Sequence, residues 1–261
     1  MAGTAPTGFA VDALANATWA RNGLRPYYAY RDLGVTAATG GRWRAHHIRM
    51  IEPNDAKTGW HCHDLDFQLV YVLRGWVRFT VEGVGQLELA AGGCAHIPAF
   101  VMHDETAYSS DFEVLEITSP AVVKTLTAVP ADRTTRPPAR FVASALREED
   151  FIRGNGPRSF LEYRDLGLVE ATNRRVQAQV VRTRGPCEHS TGWHLHTLDF
   201  QFVYVLAGWA ATELEGYGAF TLRAGDAMSV PARLRHDVTA FSADFTVLEL
   251  NAPADFETIV G

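Results

Sequence analysis

The feature of the sequence that most restricts its fold is an internal repeat. Residues 58–76, TGWHCHDLDFQLVYVLRGW, return as residues 191–209, TGWHLHTLDFQFVYVLAGW, and only four of the nineteen positions differ. The offset is 133 residues, and the same offset relates the YRDLG segments at 30–34 and 163–167, as well as His103 and His236. Self-similarity at one fixed spacing over such long segments indicates the tandem duplication of a domain.

The repeat divides the 261 residues into two domains. Each copy is at the low end of the usual domain range of roughly 100–150 residues, so each can build its own core. Between the copies, the segment VPADRTTRPPAR combines prolines with scattered charge and predicts an extended linker. We therefore place an N-terminal domain at 1–128, the linker at 129–140 and a C-terminal domain at 141–261.

Strand signals fill each copy after the YRDLG segment. Residues 67–73, FQLVYVL, form a β-branched and aromatic run that stops before Gly75, and residues 77–81, VRFTV, alternate before the turn at 83–85. Many short strands with glycine turns predict a sandwich or a small barrel. The segments 9–21 and 141–151 are rich in Ala, Leu, Asp and Glu and predict a short helix at the start of each domain.

Charge and composition argue against several classes of function. The formal net charge is −6 and no cluster of Lys or Arg occurs, so nucleic acid is not an expected partner. No apolar run approaches the ~20 residues that span a bilayer, and the start lacks the basic region of a secretory signal, so we expect no membrane partner and a cytoplasmic protein. Three cysteines are too few for a disulfide framework, which agrees with a reducing compartment.

A pattern of histidines carries the chemistry. His61 and His63 are two residues apart, and in a strand such residues point to the same side, so both imidazoles can reach one ion. Gln68 follows five residues later, and His103 lies downstream. The second copy repeats the set as His194, His196, Gln201 and His236.

These spacings resemble the two sequence motifs of the cupin superfamily, G-x5-H-x-H-x4-E-x6-G and G-x5-P-x-G-x2-H, and the pair of copies resembles a bicupin. The resemblance runs from about Tyr30 and Tyr163 onward, and Gly75, Gly92 and Pro98 occupy further motif positions. It implies an all-β fold of two tandem cupin double-stranded β-helix (jelly-roll) barrels with short N-terminal helices. It also implies one divalent metal ion per domain, bound by His61, His63 and His103 in one half and by His194, His196 and His236 in the other.

The sequence departs from the family pattern at the fourth ligand position. Gln68 and Gln201 stand where a glutamate ligand is usual, and each amide can bind the ion, hydrogen-bond a ligand's water or orient a histidine. Three imidazoles and an amide leave a divalent ion with its full charge, so the expected partner is a small anionic chelating substrate such as an enolate or phenolate. The glycine positions also differ, with Gly59 and Gly192 nearer the histidines and Phe100 and Arg233 in place of the inner glycine.

The resemblance also bears on the reaction. Three-histidine cupins that lack the carboxylate include oxygenases that cleave diketones or acylphenols, so it implies a metal-dependent dioxygenase acting on a small enolisable or phenolic compound. Imidazole ligands suit several metals, so Zn2+, Ni2+, Mn2+ and Cu2+ stay open beside the favoured Fe2+. Two alternatives are a non-redox isomerase or polyketide-type cyclase and a small-molecule binding protein without turnover. No motif carboxylate is an evident base, and the chain can be a monomer or a homo-oligomer.

Other residues of the repeat are expected to be structural. Tyr30 and Tyr163 can line a pocket, but their place beside a domain-edge strand favours packing. Asp66 and Asp199 follow the histidine strand and are expected to hold a turn through side-chain hydrogen bonds. The tryptophans of both copies are expected to pack in the barrel walls; they are Trp60, Trp76, Trp193 and Trp209.

Overall fold

The structure, a computed structural model, describes residues 8–21, 23, 25–52, 57–133, 135–187 and 189–261. It contains two compact units. The N-terminal unit is Thr18–Leu146, and the C-terminal unit combines residues 8–17 with Arg147–Gly261. These bounds differ from the predicted domains 1–128 and 141–261, because residues 8–17 belong to the C-terminal unit and the predicted linker 129–140 belongs to the N-terminal unit.

The described residues up to 146 form twelve strands and one single-turn α-helix. The strands are β1 (Ala10–Asp12), β2 (Tyr28–Asp32), β3 (Arg44–Met50), β4 (Cys62–Asp64), β5 (Phe67–Arg74), β6 (Trp76–Val81), β7 (Gly85–Ala90), β8 (Cys94–His96), β9 (His103–Tyr108), β10 (Glu113–Ser119), β11 (Lys124–Leu126) and β12 (Val142–Ser144). The helix is α1 (Val35–Ala38).

The described residues from 147 onward form eleven strands and a second single-turn α-helix. The strands are β13 (Ile152–Arg153), β14 (Glu162–Asp165), β15 (Gln177–Arg182), β16 (His194–His196), β17 (Phe200–Ala207), β18 (Trp209–Leu214), β19 (Gly218–Arg223), β20 (Ala227–Val230), β21 (His236–Phe241), β22 (Thr246–Ala252) and β23 (Thr258–Val260). The helix is α2 (Leu168–Ala171).

The N-terminal unit is a barrel of antiparallel sheets. One sheet has the strand order β12-β8-β5-β10-β3-β2, and the opposite wall contains β7-β6-β9 and the pair β11-β4. A single bridge between His61 and His103 joins β9 to the start of β4. Strand β6 alternates as expected for a barrel wall, since Val77, Phe79 and Val81 are buried.

The C-terminal unit has the same architecture. Its sheets have the orders β1-β20-β17-β22-β15-β14-β13 and β19-β18-β21-β16-β23. The offset of 133 holds in the strand register, because Leu115 pairs with Tyr71 in one unit and Leu248 pairs with Tyr204 in the other. The predicted all-β class with two tandem jelly-roll barrels is therefore confirmed.

The predicted N-terminal helices are shorter than the segments that suggested them. They are single 3-10 turns at Leu14–Asn16 and Glu148–Asp150, and the residues before them form strands β1 and β12. Strand β1 pairs with β20, and β12 pairs with β8. The free hydrogen-bonding groups of these sheet edges stabilise an extended partner, which outweighs the helix preference of the alanines in such short segments. No helix among the described residues is both long and apolar enough to cross a membrane.

The turn at Gly75, between β5 and β6, strongly favours glycine. Its φ is +68°, and a Cβ atom there would lie 2.0 Å from the Ser109 hydroxyl oxygen and 3.2 Å from the Phe112 Cα. Gly83 has a similar φ of +74°, but a Cβ atom there would have no neighbour within 4 Å. The two positions therefore separate backbone strain from steric overlap.

We predict that Gly75→Ala lowers the free energy of unfolding by about 2–4 kcal/mol, because left-handed strain and overpacking add together. The matched control Gly83→Ala should cost only about 1 kcal/mol, from strain alone. Urea denaturation of both variants measures the two losses. Equal losses would contradict the steric account of the turn.

Candidate metal centres

Backbone pairing between two strands brings two histidines of the N-terminal barrel, His61 and His103, together. His61 and His103 lie directly opposite each other on antiparallel strands and exchange two backbone hydrogen bonds, of 3.0 and 2.8 Å. His63, two residues after His61, faces the same side. One nitrogen atom from each of the three side chains lies within 4.8 Å of the other two. All three side chains are buried, with 4–8% of their surface exposed.

Hydrogen bonds orient all three rings. The Nδ1–H groups of His61 and His103 donate to the carbonyl oxygens of Gly59 and Val101, at 2.7 and 2.9 Å. The Nδ1 atom of His63 lies 3.2 Å from the Thr125 hydroxyl. Because a carbonyl oxygen can only accept, two of the rings must carry the proton on Nδ1, which leaves the Nε2 lone pair free for an ion.

The C-terminal barrel repeats this geometry. His194 and His236 form the backbone pair, and the ring centroids of the three histidines are 4.4–5.3 Å apart, compared with 4.3–5.2 Å in the N-terminal barrel. The Nδ1 atom of His196 lies 3.0 Å from the Thr258 hydroxyl. Each triad therefore fits one divalent ion.

A glutamine lines the same cavity as each triad. The amide nitrogen of Gln68 donates to Glu116 at 3.1 Å, and that of Gln201 donates to Glu249 at 3.1 Å. Because the carboxylates accept from the amide nitrogens, the amide oxygens point the other way. Both amide oxygens are buried and have no hydrogen-bond partner among the residues that the structure describes. A buried acceptor without a partner is costly, so a bound ion or a ligand group is a suitable partner for it.

The two glutamates have different neighbours. Glu116 also accepts a charged hydrogen bond of 2.8 Å from Arg44. Glu249 accepts instead from the neutral amides of Gln179 and Asn251, at 3.2 and 2.8 Å. The carboxylate behind the glutamine is thus paired with a cation in the N-terminal barrel and with amides in the C-terminal barrel.

Burial keeps the histidines neutral. Desolvation, followed by the neighbouring imidazoles, lowers the pKa of His63 to about 3 and that of His196 to about 3. Desolvation is also the main cause that lowers the pKa of His103 and His236 to about 4. Neutral imidazole is the form that binds a metal, so protons compete weakly for these sites near neutral pH.

Each triad lies in a cavity with mostly apolar walls. The N-terminal cavity has a volume of about 510 Å³, and its lining includes Tyr28, Phe79 and Phe112. The C-terminal cavity has a volume of about 240 Å³, and Leu161, Thr212 and Phe245 occupy the equivalent positions in its lining. Both volumes suit a small organic ligand better than a bare ion.

Sequence reasoning missed an arginine in each cavity. Arg25 and Arg158 line the two cavities at the same offset of 133 residues. Their backbone N–H groups donate to the hydroxyl oxygens of Tyr30 and Tyr163, at 3.0 and 3.1 Å. A comparison of the two copies extended a few residues toward the N-terminus would have shown that both arginines are repeated at the same offset. They lie just before the YRDLG segment from which the copies were aligned. The two tyrosines line the cavities rather than only packing, in contrast to expectation.

Glu105 was also missed, and it belongs to the N-terminal cavity alone. It lies on β9 two residues after His103, and Val238 occupies the equivalent position of the second copy. Burial raises the pKa of Glu105 to about 7, although the charge of Arg25 acts in the opposite direction. A search for residues common to both copies passes over such a residue.

Several residues outside the triads have other roles. Trp60 is 48% exposed, so the expected wall position is wrong for this tryptophan, whose side chain lies at the surface. Asp66 donates its backbone N–H to the Ser119 carbonyl and accepts a hydrogen bond of 3.2 Å from Arg136, which agrees with a structural role. Cys62 is fully buried, and its place in the strand between His61 and His63 puts its side chain on the opposite face from theirs.

The family model of the cupin domain matches residues 47–118 and again residues 182–249, which together are more than half of the chain. The chain belongs to the cupin family. Because each match contains one histidine triad, the protein is a bicupin with one candidate metal centre in each barrel. No curated protein sequence matches this bicupin significantly.

Solved structures with the same fold include bacterial oxalate decarboxylases. The enzyme of Lactobacillus farciminis, in a formate complex, has a TM-score of 0.68 at 12% identity, covering 96% of this chain and 88% of that one. The enzyme of Bacillus subtilis, determined at pH 4.6, has a TM-score of 0.64 at 14% identity, covering 99% and 79%. A further Bacillus subtilis structure, also at 14% identity and a TM-score of 0.64, covering 99% and 80%, concerns its Mn(II) centres. At such identities the likeness shows the fold alone.

We predict that Thr125→Val weakens metal binding at the N-terminal centre of this bicupin about tenfold or more, because His63 loses the group that orients its ring. Thr258→Val should weaken the C-terminal centre in the same way. Competition with a chromophoric zinc chelator measures both affinities. The control Thr106→Val removes a hydroxyl that bonds to the Arg78 carbonyl and should leave both affinities unchanged; an equal loss in that variant would contradict the assigned role.

We also predict that the metal-free bicupin loses stability as the pH falls from 6.5 to 5. Over this range the unfolded chain protonates its histidines, whereas His63 and His196 stay neutral in the folded protein, so the unfolded state binds more protons. Each such histidine contributes about 1.4 kcal/mol per pH unit. Urea denaturation of chelator-treated protein measures the slope, and the double variant His63→Ala, His196→Ala should have a shallower one. An unchanged slope would rule out these residues as its source.

Proposed function

We propose that this bicupin is a metal-dependent dioxygenase of the Fe2+ type that acts on a small enolisable or phenolic compound. The observation that carries the proposal is an uncharged set of ligand groups in a mostly apolar cavity. Each centre offers three neutral imidazoles and one buried amide oxygen. Such a set leaves a divalent ion with its full positive charge, which favours a ligand that brings its own negative charge.

The shape and lining of the cavities support a substrate with an apolar body. A volume of about 510 Å³ in the N-terminal barrel greatly exceeds what a two-carbon dicarboxylate would fill. Tyr30, Phe79 and Phe112 offer aromatic surface to a ring or an acyl chain. An enolate or phenolate with a neighbouring carbonyl combines a two-oxygen anionic end with such a body.

The arginines of the cavities support an anionic substrate as well. Arg25 donates from Nη2 to the Thr58 carbonyl oxygen at 3.0 Å, a contact that holds the guanidinium at the cavity wall. Its other N–H groups can donate to a charged oxygen of the substrate, and Arg158 has the equivalent position in the C-terminal cavity.

Different groups of this chain bind the ion, contact the substrate and exclude water. The histidines hold the ion, and the hydrogen bonds of their Nδ1 groups keep the rings in place. The amide oxygen of Gln68 completes the set or accepts a hydrogen bond from the substrate, and the apolar walls exclude water. When bound, a divalent ion would supply Lewis acidity, and iron would add the redox chemistry that oxygen requires.

A decarboxylase is the second candidate function. It is favoured by the likeness of the fold to oxalate decarboxylases, one of which is described by its Mn(II) centres. An arginine in each cavity also suits a carboxylate. The cavity volume makes oxalate itself a poor fit, so the substrate in this case would be a larger carboxylic acid.

We predict that protein purified without a histidine tag or chelator retains close to two ions per chain by plasma mass spectrometry. His61→Ala and His194→Ala should each remove one ion. After anaerobic loading with iron, wild-type protein should consume oxygen with at least one member of a panel of diketones, acylphenols and flavonols. The loss of oxygen uptake in a variant identifies the working centre.

The same experiment separates the alternatives. Oxygen-independent release of carbon dioxide from aryl or acyl carboxylic acids would replace the dioxygenase with a decarboxylase. Turnover by zinc-loaded protein without air would indicate an isomerase or cyclase. No oxygen uptake with any member of the panel would contradict the dioxygenase, and failure to hold any ion would contradict the metal-dependent function and leave a binding protein.

A further inference from the structure

The two cavities share one backbone frame around the third histidine. The hydroxyl of Thr58 accepts the N–H of Glu105 at 2.8 Å, and the hydroxyl of Thr191 accepts the N–H of Val238 at 2.8 Å. The threonine N–H groups return hydrogen bonds to the same two residues, at 3.1 and 3.0 Å. Glu105 and Val238 therefore occupy equivalent positions, and a difference between them is a difference in the side chain alone.

The Glu105 side chain lines the N-terminal cavity on the metal side of its strand. Two residues along a strand lie on the same face and are about 7 Å apart, so Glu105 faces the cavity one step beyond His103. It is not one of the groups that cluster with the triad. Among the residues that the structure describes, none donates a hydrogen bond to its carboxyl group, although Arg25 lies near enough to influence its charge.

Further exchanges make the C-terminal cavity smaller and less polar. Val238 replaces the carboxyl group with two methyl groups. Met228 stands where the first copy has Ala95, and Phe256 stands where it has Val123. The volume falls from about 510 to about 240 Å³. The metal-facing groups of the two halves match, whereas the walls beyond them have diverged.

We propose that the two centres bind different ligands and that Glu105 is the residue that decides this specificity. The N-terminal centre takes a chelator whose body carries a hydroxyl or amine a few atoms beyond its metal-binding oxygens, and Glu105 accepts the hydrogen bond from that group. The C-terminal centre takes a smaller chelator with an apolar body. The inference rests on the proposed function only in that both centres bind chelating ligands through a metal ion.

The physical basis of this specificity is the free-energy cost of burying a polar group that has no hydrogen-bond partner. An apolar ligand in the N-terminal cavity would cover Glu105 without giving it a donor, and this desolvation penalty counts against binding. A ligand hydroxyl next to Val238 would lose hydrogen bonds to water and find no acceptor on the Val238 side chain. Each wall therefore favours one ligand and disfavours the other.

Two catechols of the same shape test the proposal: 4-(2-hydroxyethyl)catechol and 4-propylcatechol, which differ by a hydroxyl in place of a methyl group. The protein is loaded with zinc to prevent redox chemistry, and binding is measured by calorimetry. His194→Ala leaves only the N-terminal centre, and His61→Ala leaves only the C-terminal centre. We expect the N-terminal centre to prefer the hydroxyl compound by about tenfold and the C-terminal centre to prefer the propyl compound.

Exchanges at the single position identify the cause. In the His194→Ala protein, Glu105→Val should abolish or reverse the preference, whereas Glu105→Gln, which keeps an acceptor oxygen and the shape, should retain part of it. In the His61→Ala protein, Val238→Glu should raise the relative affinity for the hydroxyl compound. Equal affinity of both catechols for the N-terminal centre, or a preference that survives Glu105→Val, would overturn the proposal. If neither catechol bound to either centre of the zinc-loaded protein, the proposed function would be overturned together with this proposal.

Discussion

One hydrogen-bonded pair of residues across two antiparallel strands underlies the chemistry of each barrel. The pairing of His61 with His103 sets two imidazoles side by side, and the period of the strand adds His63 on the same face. The ring Nδ1 groups of the paired histidines then bond to carbonyl oxygens two residues earlier, so their Nε2 atoms are left for an ion. Burial keeps the rings neutral, which is the form that a metal requires.

A glutamate ligand would bring a negative charge to each centre. In this protein the nearby negative charge is a carboxylate that is hydrogen-bonded to the glutamine instead. The carboxylate of Glu116 accepts a hydrogen bond from the amide nitrogen of Gln68, and the buried amide oxygen belongs to a residue that lines the same cavity as the histidines. In the N-terminal barrel Arg44 neutralises that carboxylate, whereas in the C-terminal barrel Glu249 accepts from the amides of Gln179, Gln201 and Asn251. The centres thus share their geometry but differ in the charge around it.

Much of the fold and of the candidate sites could be predicted from the sequence, because the two copies within the chain can be compared with each other. Residues identical at an offset of 133 located the two triads and Gln68, and the alternation of short strands indicated the barrel. Glu105 was missed because the second copy has a valine, Val238, at the equivalent position, although that difference distinguishes the cavities. The exposed position of Trp60 could not be read from a repeat, since identity between copies does not tell buried from exposed.

The sequence by itself determined the duplicated β fold, because strand period is a local property of the chain, and the resemblance of its motifs indicated which histidines come together. Only the tertiary structure decided what surrounds them. The carboxylate of Glu116 reaches Gln68 across 48 residues, and residues 10–12 join a sheet with residues 227–230. Such contacts depend on which strands become neighbours, and hydrogen-bond partners of a buried group are chosen by that proximity rather than by local sequence.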